Sequence, residues 1–232
     1  MHLYFIRHGE SHVNLTDWTG GNQDVGLTAR GRAQAHALGL WLKQHIHTPD
    51  ALYASTMLRA RETASYVQAA YDLPLIFDDR LREIGNNRSD HTPWDSDNLP
   101  EYADYWASAR PFASLTPSVP GGETMMHFRT RVGLFLDDIL TRHAHQEAVM
   151  AICHGFVIDM MFDIAFNVGA RRHCEVWTSN TGITHFEAVD LPGRENWRLR
   201  CQNRIEHLIG LEFAGRYQQS ARDEAVEHGG NA

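Results

Sequence analysis

The chain has little that would brace a fold covalently. Its three cysteines (Cys153, Cys174, Cys201) leave one over in any pairing, and no C-x-x-C spacing appears. A disulfide scaffold is thereby excluded, and a reducing compartment fits best. Long apolar runs are also missing. The nearest, from Phe156 to Ala170, is interrupted by Asp159, Asp163 and Asn167, so no membrane-spanning segment is expected and the membrane is not an expected partner. The first apolar run, Leu3 to Ile6, meets Arg7 at once, unlike the apolar centre of a signal peptide, and the expected address is the cytoplasm. A basic excess is missing too: 21 basic against 29 acidic residues leave a formal charge of −8. This argues against a nucleic-acid partner, which needs a basic face, but leaves room for a local cationic pocket. No repeat of solenoid length and no low-complexity block is present.

What remains is an ordinary globular composition over 232 residues. That length favours one core with an insertion over two domains. Leu3 to Ile6 reads as a buried strand ended by Gly9. Residues 15–27 are loop, and Thr28 is placed as the N-cap of a helix whose apolar positions are Ala35, Leu38, Leu42 and Ile46. Ala51 to Ala54 is a second strand; Ser55 or Thr56 is expected to cap a helix over 57–71, and Leu75 to Phe77 is a third strand. Residues 84–121 are rich in Asn, Asp, Ser and Pro, with Trp94, Tyr102, Tyr105 and Trp106 scattered through them. They read as an insertion, with a short helix near 101–109, that is expected to fold over the carboxyl end of the sheet, cover the site there and select what enters it. Glu123 to His143 has an amphipathic helical pattern. Val149 to Cys153 is a strand buried on both faces, followed by a helix over 156–167. Three further strands are expected at Val176–Thr178, Ile183–Val189 and Trp197–Cys201. Alternating strands and helices followed by a run of strands imply an α/β fold: a three-layer α/β/α sandwich whose sheet is mostly parallel with an antiparallel edge. The domain is expected to span 1–213, and 214–232 reads as a polar, disordered tail.

Two segments share one design. Leu3 to Gly9 and Met150 to Gly155 are each an apolar strand ending in His-Gly, at His8 and His154. In open α/β sheets ligands bind beyond the carboxyl ends of strands, so parallel neighbours built this way would bring both imidazoles together. Arg7 sits beside His8, and Arg59 follows the second strand. Arginine's planar fork matches phosphate or carboxylate, and Asn14 with the Gly20-Gly21 turn adds neutral donors. The constellation is an anion pocket with two histidines, and a neutral imidazole is a nucleophile or base near pH 7. Histidine is also a metal ligand, but an arginine beside each candidate would repel a cation, and no metal-binding spacing occurs near either segment.

The motifs Arg7-His8-Gly9-Glu10-Ser11 with Asn14, Leu27-Thr28-x-x-Gly31-x-x-Gln34-Ala35, Ser55-x-x-x-Arg59-Ala60-x-x-Thr63-Ala64, Leu81-x-Glu83, Pro120-Gly121-Gly122-Glu123-Thr124 and Cys153-His154-Gly155 occur in this order. Together they resemble the histidine phosphatase superfamily, the group that contains cofactor-dependent phosphoglycerate mutases. The resemblance implies that His8 attacks phosphorus and becomes phosphohistidine. Arg7, Arg59 and His154 would grip the equatorial oxygens, with help from Asn14, Gly21 and Gly155. Glu83 would protonate the leaving oxygen and then activate water. No metal or other cofactor is implied, because cationic side chains supply the charge. A homodimer is the assembly common among such enzymes.

The family's Gly-x-Trp-Glu-Gly pattern after the acid is replaced by Ile84-Gly85-Asn86-Asn87-Arg88, which leaves Asp79 and Asp90 as fallback acids. Glu123 is read most simply as favouring the positive end of the following helix. Arg61 is read as solvent-facing, Cys153 as inert packing, Asn180-Thr181-Gly182 as a turn that could rim the pocket, and His2, His12, His36, His45, His47, His143 and His145 as surface. Family mutases carry a Trp-Arg-Arg run in the insertion; here it has no such run and no Lys, only Arg88 and Arg110. The expected function is therefore a metal-independent phosphatase of small phosphorylated metabolites. The alternatives are phosphoglycerate mutase-type transfer or a non-catalytic phosphate-binding protein.

Overall fold

The computed structural model describes residues 1–20, 23–95, 115–170, 174–189, 192–193 and 196–211. Six strands, β1 (His2–Arg7), β2 (Ala51–Ser55), β3 (Leu75–Asp78), β4 (Ala148–Cys153), β5 (Ile183–Ala188) and β6 (Trp197–Arg204), form one sheet in the order β3-β2-β4-β1-β5-β6. β1 is parallel to β4, and β2 is parallel to β3 and β4; β5 and β6 are the antiparallel edge. The expected sandwich is what the chain adopts.

The helices α1 (Ala29–His45), α2 (Leu58–Tyr71), α3 (Met125–Arg142) and α4 (Gly155–Ala165) cover both faces. Successive side chains of a strand point to opposite faces, so each central strand serves two cores. Leu3, Phe5, Val149, Ala151 and Cys153 pack with Phe128, Val132 and Phe135 of α3 and Val157 and Ile158 of α4. Ile6, Met150 and Ile152 pack with Leu38 and Leu42 of α1 and Ala60, Ala64 and Val67 of α2. Each large side chain so enclosed contributes about 1.5–3 kcal/mol, and this double duty explains why β4 reads as an unbroken apolar run. Thr28 caps α1 as expected: its Oγ1 accepts from Gly31 N at 3.0 Å.

Some expectations are corrected. Ser55 and Thr56 do not cap α2; Met57 occupies the N-cap. Asp24 supplies the cap from a distant loop, its carboxylate accepting from Leu58 N at 2.9 and 3.1 Å. Val176–Thr178 is not a strand, because Val176 N donates instead to the Asp159 carboxylate at 2.9 Å. His143 is buried, not surface; its ring bonds to Tyr53 Oη at 2.7 Å and to Gln146. The expected helix near 101–109, Tyr102, Tyr105, Trp106, Arg110 and the tail lie outside the described residues. Among the described residues no helix is long and apolar enough to cross a membrane.

Candidate active site

The pairing register brings the two motifs together. Arg7 of β1 lies opposite Cys153 of β4, so the next residue in each strand direction is a histidine at the same level. The rings of His8 and His154 lie 5.0 Å apart, edge to face. Both are buried.

His8 is held in one orientation. Its Nδ1 lies 2.7 Å from its neighbour's carbonyl, Gly9 O. A carbonyl only accepts, so Nδ1 carries the proton and Nε2 keeps its lone pair. Arg59 Nε donates to that Nε2 at 3.2 Å. The backbone around the ring is pinned from several sides. Gly9 N donates to Thr63 Oγ1 at 2.9 Å, and the Thr63 hydroxyl donates to Arg59 O at 2.8 Å. Asn180 Nδ2 donates to His8 O at 3.0 Å, while Thr181 N donates to both Arg7 O and His8 O. Thr181 has a φ of +57°, a conformation that β-branched residues rarely adopt. His207 holds it there through a 2.9 Å bond between Nε2 and Thr181 Oγ1. The loop also packs directly on α1: a Cβ on Gly31 would lie 1.8 Å from Glu10 O, so this position of the helix must be glycine.

His154 is oriented differently. Its Nε2 lies 2.9 Å from Ser55 Oγ. Its Nδ1 is buried and without a hydrogen-bond partner. The two residues expected to cap α2 therefore serve the site: Ser55 steadies His154, and the Thr56 hydroxyl donates to Asp79 Oδ1 at 2.6 Å.

Burial and the neighbouring cations depress both imidazoles well below their ordinary range. For His8 desolvation is the largest cause, followed by Arg59 and Arg7; for His154 it is desolvation, then Arg59, then His8. Both are thus neutral near pH 7. Arg7 donates through Nη1 to Thr178 O at 2.5 Å. Arg59 is buried, with Asp24 3.8 Å from its Nη1.

Glu83 joins the same edge of the sheet. Its Oε1 accepts from Ile84 N at 3.0 Å, and its Oε2 lies 3.4 Å from Phe156 N, in the first turn of α4 just beyond His154. Burial pushes its carboxyl above the usual carboxylate range, against the opposing pull of Ile84 N–H, Arg59 and Arg7. The fallback acids are less suited. Asp79 accepts from Thr56, and Asp90 is exposed and bonded to Thr92.

Asn14 is turned by its own carbonyl, which accepts from Ser11 N at 3.1 Å and Asn180 Nδ2 at 3.2 Å. Gly155 opens α4 beside Arg7, 3.6 Å from its Nε to the place a Cβ would take. Gly21 lies outside the described residues. Arg61 is exposed, as expected, and lies over the Phe77 ring. Cys153 is buried, and desolvation pushes its thiol far up.

Glu123 corrects its reading as a helix-dipole partner. It is fully buried in an ion pair with Arg131, Nε to Oε1 at 2.6 Å and Nη2 to Oε2 at 3.0 Å. Arg131 also donates to the carbonyls of Arg80, Arg82 and Glu83, at 2.7, 2.7 and 3.1 Å, and Glu123 accepts from Gly85 N. The pair therefore fixes the backbone that presents Glu83. Asn180 and Thr181 belong to the turn read as a rim candidate; His207 and Arg131 carried no signal in the sequence.

The chain is 28% identical over 185 residues to a Hydrogenobacter thermophilus protein provisionally named phosphoserine phosphatase 2, covering 78% of this chain and 87% of that one. It is 23% identical over 209 residues to an Erwinia tasmaniensis protein provisionally named phosphoglycerate mutase GpmB, covering 90% and 95%. Among solved structures, a mycobacterial glucosyl-3-phosphoglycerate phosphatase in complex with VO3 shares the fold, with a TM-score of 0.66 at 21% identity over 87% of this chain and 98% of that one. The model of the histidine phosphatase superfamily (branch 1) matches residues 3–203, and the chain belongs to that superfamily.

Proposed function

We propose that the chain is a metal-independent phosphatase that hydrolyses small phosphomonoesters through a phosphohistidine on His8. The observation that carries this reading is the tautomer of His8: Nδ1–H is committed to Gly9 O, and the Nε2 lone pair faces the Arg59 guanidinium. In the first step Nε2 forms a bond to phosphorus while the ester P–O bond breaks. The ring becomes cationic as it attacks, and Nδ1–H···O=C of Gly9 spreads that charge. Arg7, Arg59 and His154 stabilise the equatorial oxygens where negative charge gathers. Glu83, whose carboxyl is raised by burial, gives its proton to the leaving oxygen. In the second step its carboxylate takes a proton from water, whose oxygen attacks phosphorus as the P–N bond breaks. Inorganic phosphate leaves and Glu83 is protonated again.

The test is hydrolysis of p-nitrophenyl phosphate in excess EDTA. Wild type is expected to turn over, and His8→Ala to lose at least about 10⁴-fold in kcat with its fold retained. Substantial activity in that variant would sink the mechanism. Glu83→Gln should slow glycerol phosphate, a poor leaving group, at least tenfold more than p-nitrophenyl phosphate; equal slowing of both would remove Glu83 as the acid. An inactive wild type that isomerises 3-phosphoglycerate would instead be a mutase.

A further inference from the structure

Three arginines surround the segment that carries Glu83, and their side chains are satisfied unequally. Arg80 turns its Nε and Nη2 onto the Asp78 carboxylate, at 2.9 and 2.6 Å. Arg131 turns the same two atoms onto Glu123, at 2.6 and 3.0 Å. This edge of a guanidinium is the two-donor fork that matches a carboxylate or phosphate. Arg82 is the exception. Only 9% of the residue is exposed, yet its one side-chain hydrogen bond among the described residues runs from Nη1 to Thr56 Oγ1, at 3.1 Å. Its Nε is buried and without a partner.

A buried cation with no carboxylate on its fork is costly, and such groups are normally paired. Arg82 is also not loose. Thr56 accepts from it while donating to Asp79 Oδ1, which ties down the Nη1 end of the guanidinium. Its position is beside the chemistry: Thr56 follows Ser55, the partner of His154 Nε2, and Arg82 directly precedes Glu83. Its charge is one of those that reach His154. Asp24 and Asp79 face it electrostatically, as do the cations Arg59 and Arg131, but Asp24 is already engaged with the start of α2 and with Arg59.

We propose that Arg82 anchors a second anion subsite next to the phosphate pocket, taking a carboxylate or a second phosphate carried by the substrate. The substrates favoured would be phosphorylated acids and bisphosphates over phosphate esters with neutral tails. This inference rests on the phosphatase reading for its substrate, but it predicts binding as well as turnover.

The experiment compares wild type, Arg82→Met and Arg82→Lys on matched pairs. 3-Phosphoglycerate is set against glycerol 3-phosphate, which replaces the carboxylate by a neutral group, and fructose 1,6-bisphosphate against fructose 6-phosphate. Wild type should favour the doubly anionic member of at least one pair. Arg82→Met should reduce that kcat/KM ratio by about 30-fold, mainly through KM, and Arg82→Lys should recover part of it. The pair that responds identifies the second group as carboxylate or phosphate. Equal losses on both members, or no wild-type preference, would overturn the subsite. If wild type hydrolyses none of the four, the phosphatase reading fails separately. Calorimetric titration of the same compounds then decides the subsite: a preference lost in Arg82→Met upholds it, and equal binding of both members overturns it.

Discussion

The two His-Gly turns are built alike in sequence and finished differently in space. Each follows a buried parallel strand, and each histidine is neutral and enclosed. His8 is tied through Nδ1 to its own neighbour's carbonyl and offers Nε2; His154 is tied through Nε2 to Ser55 and keeps Nδ1 without a partner. His8's backbone is clamped by Thr63, Asn180 and Thr181, whereas His154 serves as the N-cap residue of α4. The difference shows how one local pattern yields two geometries, which suit the two roles proposed for them. A nucleophile needs a fixed tautomer and a lone pair aimed along one line, while a donor to oxygen needs only a proton and a position.

The largest test of that contrast is to remove each imidazole. Against the loss of at least about 10⁴-fold expected for His8→Ala, His154→Ala should lose about 10²–10³-fold in kcat, the cost of one transition-state donor. Quench-flow labelling with radioactive phosphate ester, stopped in alkali because the P–N bond of phosphohistidine survives base and not acid, should find labelled histidine in His154→Ala and none in His8→Ala. Label in the second variant and not the first would exchange the roles.

A second test uses protons. His8 and His154 are depressed well below the ordinary range, and burial pulls His207 down to about 4. The unfolded chain binds these protons near pH 6.5 and the folded chain does not, so their stability is whole above that pH and is lost as pH falls toward the folded values. Each contributes a slope of up to about 1.4 kcal/mol per pH unit. Glu83, raised in the fold, opposes this at the acid end, since the folded chain holds its proton longer. Urea midpoints at pH 7 and 5.5 should therefore fall with acidity, and less steeply in His154→Ala; parallel slopes would mean that His154 is not neutral in the fold.

The smallest effect isolates orientation. Ser55→Ala removes the bond to His154 Nε2 and should reduce kcat about fivefold, the worth of one hydrogen bond of roughly 1 kcal/mol, with little change in KM. No change at all would show that packing alone aligns the ring.

Much of the scaffold was legible because it depends on local pattern. The continuous apolar run of β4, the helical spacing after Thr28 and the amphipathic stretch that became α3 each report burial along one element. Motif order carried His8, Arg59, Glu83 and His154 to one end of the sheet. The errors came where a polar side chain had a choice of partners. Ser55 and Thr56 are good caps by type, yet a loop aspartate took the cap and released both to the site. Glu123 suits a helix start, yet Arg131, two turns on, outcompeted the dipole because both could be buried together. His143 has no apolar signature, yet Tyr53 and Gln146 satisfy it in the interior. Val176–Thr178 has β-forming residues but pairs with no strand among the described residues; Asp159 answers Val176 N instead.

By itself the sequence determined the layer architecture, the absence of covalent bracing and the set of histidines, arginines and carboxylates gathered at one end of the sheet. These follow from periodicity and side-chain chemistry, which act within a few residues. The tertiary structure alone decided which nitrogen of each histidine is offered, that Arg131 and Glu123 hold the backbone of Glu83, and that Arg82 is buried with an unmatched fork. Those outcomes depend on competition among donors and acceptors distant in the chain, and only packing brings the competitors within hydrogen-bond reach.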